Sequence, residues 1–195
     1  MKRFRMKKLW KAISLSLCGI LTAGIIAGCG SENTVDKTTL KFGVTNFADT
    51  LEPTQNYFGW VVMRYAIGEC LAKFDEKMNV QPWLAESWSI SDDHLTWTFK
   101  IRDNVKFSNG NLVTAEAVKK SIERAFTKNT RAKTFFEYTE MKADGQNLII
   151  TTSKPQPNMP GFLADPLFII VDVSAEEQGR DFAKEGPICT GPYKV

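Results

Sequence analysis

The stretch that decides the fold is PWLAESWSISDDHLTWTFKIRDNVKFSNGNLVTAEAV, from Pro82 to Val118. Within it Leu95, Trp97, Phe99 and Ile101 alternate with Thr96, Thr98 and Lys100, the two-residue period of a strand with one face buried. Trp88 to Ile90 precedes that strand across Ser91-Asp92-Asp93-His94, so the two segments predict a hairpin. Asn109-Gly110-Asn111 is a further turn signal. Thr114 is a good N-cap for a helix from Ala115 to about Phe126. Glu116 suits its first turn, and Val118, Ile122 and Ala125 form its apolar stripe.

Working outward, Thr39 to Val44 alternates as a first strand, and Asn46 to Gln55 reads as a loop that Pro53 keeps from becoming helix. Tyr57 to Leu71 carries Val61, Tyr65 and Gly68 at helical spacing and predicts a helix. Leu71–Phe74 and Met78–Val80 predict a short hairpin about Asp75-Glu76-Lys77. Asp144-Gly145 joins Tyr138–Ala143 to Leu148–Thr152 in a third hairpin. Pro155, Pro157 and Pro160 suggest a rigid connector. Leu167 to Val173 reads as a buried strand and Ala175 to Ala183 as a short helix. Strands and helices mixed with many hairpins indicate an α+β fold (mixed α/β), not a regular βαβ array.

The N-terminus gives an address. Lys2, Arg3, Arg5, Lys7, Lys8 and Lys11 precede an uncharged run from Ala12 to Gly28 that ends in Ile26-Ala27-Gly28-Cys29. Basic, apolar and small-residue regions in that order make an export signal. The cysteine after the small pair makes it resemble a bacterial lipobox. Such a resemblance implies cleavage before Cys29, acylation of its thiol, and a protein held at the outer face of a bacterial cell membrane of Gram-positive type. As an uncleaved anchor the run would span about 25 Å, short of the hydrocarbon core. Gly30 to Lys37 then reads as a flexible tether.

Composition narrows the function. The whole chain of 195 residues has a formal charge of +3, but the six signal cations turn it to −3 once removed. A mildly acidic chain without a basic block excludes nucleic acid as the expected partner. Five Trp and 13 Phe supply apolar area for a core. Cys18 leaves with the signal and Cys29 takes lipid, so Cys70 and Cys189 remain, and they read as buried small hydrophobes before they read as a disulfide. His94 stands alone in a turn, no metal-ligand cluster surrounds it, and no cofactor is implied. There is no Ser-His-Asp set, no G-x-S-x-G elbow and no phosphate-cradling loop, so an enzyme is not expected. Asp92-Asp93 and Glu176-Glu177 read as solvated acids.

The block Pro82–Trp88, the turn, Leu95–Phe107 and Ser108-Asn109-Gly110 through Leu112–Val118 closely resembles the signature of one bacterial family. These are the extracellular solute-binding proteins, family 5, of peptide and nickel ABC importers. Thr190-Gly191-Pro192-Tyr193 is similar to a later block of that family. Cys189 stands where the family commonly has Gly, Asn109 where Asp is usual, and Cys70 where Thr or Gly is common.

The resemblance implies a periplasmic-binding-protein-like, type II lobe with an inserted subdomain. Family members have two lobes that close on a ligand, and this chain reads as an N-terminal part without the second. The implied organisation is signal 1–28, tether 29–37, first strand and loop of lobe 1 at 38–56, inserted α+β subdomain 57–185, and the start of the return at 186–195. The implied function is a monomeric, lipid-anchored binder that delivers oligopeptides, or a nickel–chelate complex, to ABC permease subunits. A surface solute receptor or sensor without import is the alternative.

Trp83, Trp88, Trp97, Phe99 and Phe107 are expected in the core, so the residues that identify the family are not those that hold its ligand. Loops at strand ends line clefts, which makes Asn46, Tyr57, Trp60 and Arg64 the candidates for ligand contact. Tyr57 and Trp60 would offer aromatic walls, and Arg64 a fork for a carboxylate. Core packing by Trp60 and a surface ion pair for Arg64 are the plainer readings.

Overall fold

The computed structural model describes residues 38–39 and 49–195. The lipobox with Cys29, the tether, Asn46 and all but the first residue of the expected strand Thr39–Val44 lie outside the described residues. The chain divides into two units, residues 1–45 and 46–195, and the second is the one described below.

Its centre is a four-stranded antiparallel sheet. Strands β3 (Ala85–Ile90) and β4 (Thr96–Ile101) pair across the expected turn, where His94 is exposed and takes the left-handed conformation at φ 59°. Strands β5 (Glu140–Asp144) and β6 (Asn147–Thr151) turn at Gly145, φ 56°, and the order is β3-β4-β6-β5. Alternation sets the register. Trp97 faces Ile90 on one side and Ile150 on the other, and Phe99 lies between Trp88 and Leu148.

Helix α2 (Ala115–Lys128) packs its buried Val118, Ile122 and Ala125 on this sheet. Its N-cap is the expected Thr114, whose side chain accepts the Ala117 amide. Phe126 meets Phe136 and Tyr138 edge-on, with ring centroids 5.1 Å apart in both pairs, and extends the core beyond the sheet.

A two-stranded sheet, β1 (Ala72–Phe74) with β2 (Val80–Pro82), forms a hairpin where one was expected, but its second strand starts at Val80 and not at Met78, which takes φ 65° in the turn. Trp97, Phe99 and Phe107 are buried as expected, whereas Trp83 and Trp88 are half-buried at the edges of the core. Cys70 and Cys189 are buried free thiols in a second apolar cluster with Val62, Ile169 and Phe182. Burial pushes both thiols well above the ordinary cysteine range.

Three sequence expectations are corrected. The helix expected over Tyr57–Leu71 is only α1 (Phe58–Arg64). Ala66 takes φ 54°, the Ile67 and Gly68 amides both return to the Val62 carbonyl, and the chain leaves the helical path there; Gly68 then sits so close to Ile169 that a Cβ would meet its Cγ2 at 2.5 Å. Leu167–Val173 is not a strand, although residues 167–172 are buried. Asp165 caps a 3-10 turn at Pro166–Phe168, and the extended residues after it bond singly, Ile170 to the Glu69 carbonyl and Asp172 to that of Ile188. The helix expected over Ala175–Ala183 is two single turns, α5 (Val173–Glu177) and α6 (Phe182–Glu185), parted at Gly179 with φ 102°. Between β6 and the 3-10 turn, Pro160 sits in the first turn of the one-turn helix α4 (Met159–Phe162).

The block Thr190-Gly191-Pro192-Tyr193 is architectural. The Gly191 and Tyr193 amides donate to the carbonyls of Ile67 and Ala66, at 3.0 and 3.2 Å, and the Thr190 hydroxyl donates to Glu69 at 2.7 Å. A Cβ at Gly191 would lie 2.3 Å from the Ala66 carbonyl oxygen, so only glycine allows this approach.

Candidate solute-facing surface

Helix α1 has two unlike faces. Gly59 and Val62 face inward, and a Cβ at Gly59 would lie 2.3 Å from the Pro166 carbonyl oxygen, which is how closely the helix sits on the 3-10 turn. Residues 57, 60 and 64 fall together on the opposite face by helical spacing. Tyr57 is 67% exposed and Trp60 49%, and Arg64 is exposed. Trp60 is thus not packed in the core of the described residues, and Arg64 makes no ion pair among them.

The structure adds a residue that the sequence reading missed. Arg131, just after α2 and before the short helix α3 (Ala132–Phe135), carries its guanidinium over two rings, 5.2 Å from the Tyr57 centroid and 5.3 Å from that of Phe135. Its Nη2 reaches Asp165 at 3.4 Å, while its Nε is buried without a hydrogen-bond partner among the described residues. A partly exposed guanidinium held on aromatic faces suits a planar anion such as a carboxylate, although the buried Nε is itself out of a solute's reach. Nothing near Arg131 in sequence marks it. Seventy-odd residues of chain separate it from Tyr57, and only the fold brings them together.

Behind this surface the loop leading to α1 is tied to the core by charge. Arg124 of α2, 6% exposed, binds both oxygens of Glu52 at 2.9 and 2.7 Å and both oxygens of Glu176 at 3.0 and 2.6 Å. The Phe182 ring lies 4.9 Å from its guanidinium. Hydrogen bonds from Arg124 hold the Glu176 carboxyl down at about 2, with Lys128 assisting at 3.0 Å. Glu52 is also held below its usual range: burial works against ionisation, and the bonds from Arg124 and Thr54 outweigh it. Glu176 is thus a structural ion-pair partner, not the solvated acid its sequence neighbourhood suggested.

A separate shallow depression of about 220 Å³ is lined by Phe107, Asn111, Leu112, Lys120, Asp172 and others, and by none of the candidate residues. Asp172 there accepts the Asn109 and Asn111 side-chain amides at 2.8 and 2.7 Å. This accounts for Asn109: an Asp at that position would press a second carboxylate against Asp172. Among the described residues no group of His, Cys, Asp and Glu is placed to hold a metal ion, and no helix is long and apolar enough to cross a membrane.

The described residues thus form a mixed sheet-and-helix fold with an aromatic, cationic outer face. Residues 79–195 match the bacterial extracellular solute-binding proteins, family 5 middle region, and the chain belongs to that family. Similar curated proteins include the nickel-binding protein NikA of Staphylococcus aureus, 29% identical over 171 residues, with 88% of this chain and 33% of that protein aligned. The glutathione-binding protein GsiB of Escherichia coli is 32% identical over 126 residues, covering 62% of this chain and 24% of its own. Among solved structures, a nickel ABC transporter protein from Bacillus halodurans superposes with a TM-score of 0.68 at 37% identity, over 75% of this chain and 30% of that one. The fold is periplasmic-binding-protein-like. This is a family of extracytoplasmic solute-binding proteins and not of enzymes. The chain spans about a third of the length of the curated relative NikA.

Proposed function

We propose that this chain is the N-terminal part of the lipid-anchored substrate-binding component of an ABC importer, and that the outer face of α1 with Arg131 is a wall of its solute site. The observation that carries the reading is the partly exposed Arg131 guanidinium, held over the ring of exposed Tyr57. Such a wall suits a small solute bearing carboxylates, either an oligopeptide or the organic chelator of a nickel complex. That the similar proteins are named for nickel and for glutathione fits both. Asn46, which lies outside the described residues, is proposed with Tyr57, Trp60 and Arg64. The domain organisation proposed is signal 1–28, tether 29–37, first-lobe strand and loop 38–56, inserted subdomain 57–185 and return 186–195. Hinged closure of two lobes on the solute would present the closed form to the permease subunits.

Calorimetry tests the reading with two probes, nickel plus histidine and a peptide pool, on this chain and on a chain extended to the relatives' length. The extended chain is expected to bind one of them, and Arg131→Gln to weaken that binding about 10- to 100-fold, the worth of a charged hydrogen bond. The short chain is expected to bind weakly or not at all, because the entropy lost on association is the same however few contacts oppose it. An Arg131→Gln variant of full affinity would remove this face from the site. Anchoring is tested separately: Cys29→Ser should abolish lipid labelling and release the protein, and equal membrane retention would refute the lipid anchor.

A further inference from the structure

We infer that Arg124 is a positioning residue for the solute-facing wall, acting through Glu52 on the loop that delivers Tyr57 and Trp60. The inference rests on the reading of that wall given above, and extends it to a residue that does not touch the surface.

Arg124 occupies a place that helical periodicity assigns to the core, and a cation is buried there only when it is fully partnered. Its two partners do different work. Glu176 lies on α5, a helical turn anchored by its own Asp172 cap. Glu52 lies in a segment, residues 49–56, that contains no helix or strand. The Glu52 Oε1 that accepts from Arg124 also accepts the Thr54 amide at 3.1 Å and the Thr54 hydroxyl at 2.5 Å. Asn129, at the end of the same helix α2, donates to the Thr54 carbonyl at 2.6 Å. One helix therefore grips the loop at two successive points. The Gln55 amide returns to the Glu52 carbonyl, and the Phe58 amide to that of Gln55, which carries the constraint to the first residue of α1. A seven-residue helix has too few internal bonds to fix itself, so the direction in which Tyr57 and Trp60 point is set by its packing on the 3-10 turn together with what holds the loop.

Hydrogen exchange of the chain, without any solute, tests this directly. Glu52→Ala is expected to speed exchange at the Leu51, Thr54, Gln55 and Phe58 amides at least tenfold, with the β4–β6 ladder changed less than twofold. Glu52→Gln keeps an acceptor for Arg124 and Thr54 and should fall between. Glu176→Gln, which leaves the Glu52 pair intact, should change the loop less than twofold. Were Arg124 only a support for the fold, Glu52→Ala and Glu176→Gln would loosen the loop alike, or Glu52→Ala would open loop and ladder together. Either result, or an unchanged loop, overturns the inference. Where the loop loosens as expected, an unaltered affinity of the extended Glu52→Ala chain for nickel plus histidine or for the peptide pool would instead overturn the reading of the wall.

Discussion

Trp97→Ala is expected to destabilise the folded unit by about 3–5 kcal/mol, the range for removing a large buried aromatic. The indole is 6% exposed in the middle of β4, between Ile90 and Ile150, and stacks on Phe99 with centroids 6.0 Å apart. Its Nε1 donates to the Gln156 carbonyl at 3.0 Å, so truncation leaves a cavity and also an acceptor without its donor. Urea unfolding should show a lower midpoint with an unchanged slope, since the surface exposed on unfolding barely alters. A variant with an unchanged midpoint but lost solute binding would reverse the assignment and make Trp97 a ligand wall. The expectation matters because the tryptophans of the signature block would otherwise attract a functional reading. In the structure Trp88 and Trp97 are part of the sheet, and Trp83 packs at the edge of the second apolar cluster.

What was legible in the sequence follows from the range of the forces involved. The β3–β4 hairpin, the Thr114 cap and the turns at Gly110 and Gly145 are decided within a few residues, by alternation, by one side chain bonding one amide, and by backbone conformations glycine adopts freely. The end of α1 is not decided locally. After it Gly68 lies against Ile169, about a hundred residues later, with no room for a side chain, and no periodicity registers that contact. The run Leu167–Val173 announced its burial correctly, but burial is shared by strands and by other apolar segments. Pro166 and the Asp165 cap chose a 3-10 turn. The candidate site divides in the same way. Tyr57, Trp60 and Arg64 could be grouped by helical spacing alone, whereas Arg131 joins them only through the fold. Glu176 looked like half of a solvated acid pair, because the cation that claims it is 52 residues away.

Arg124→Met should cost about 3–5 kcal/mol at neutral pH, the range for leaving one side of a buried ion pair without its partner. Methionine restores most of the volume and keeps an apolar contact for Phe182, so the loss isolates the charge. Its pH dependence is the sharper test. Glu176, held at about 2, and Glu52, also held low, are depressed in the folded state relative to the unfolded chain. Groups of that kind contribute stability that is fully present above their unfolded values, near 4.3, and is lost as pH falls toward their folded values. In the variant the cation that depresses them is gone, so most of that contribution is gone at every pH. The gap between wild type and Arg124→Met should therefore be widest above about pH 5 and narrow steadily towards pH 3, as read from urea midpoints at several pH values. A gap of constant width would mean that Arg124 serves by its packing against the Phe182 ring, and that the carboxylates on either side of it contribute little to the fold.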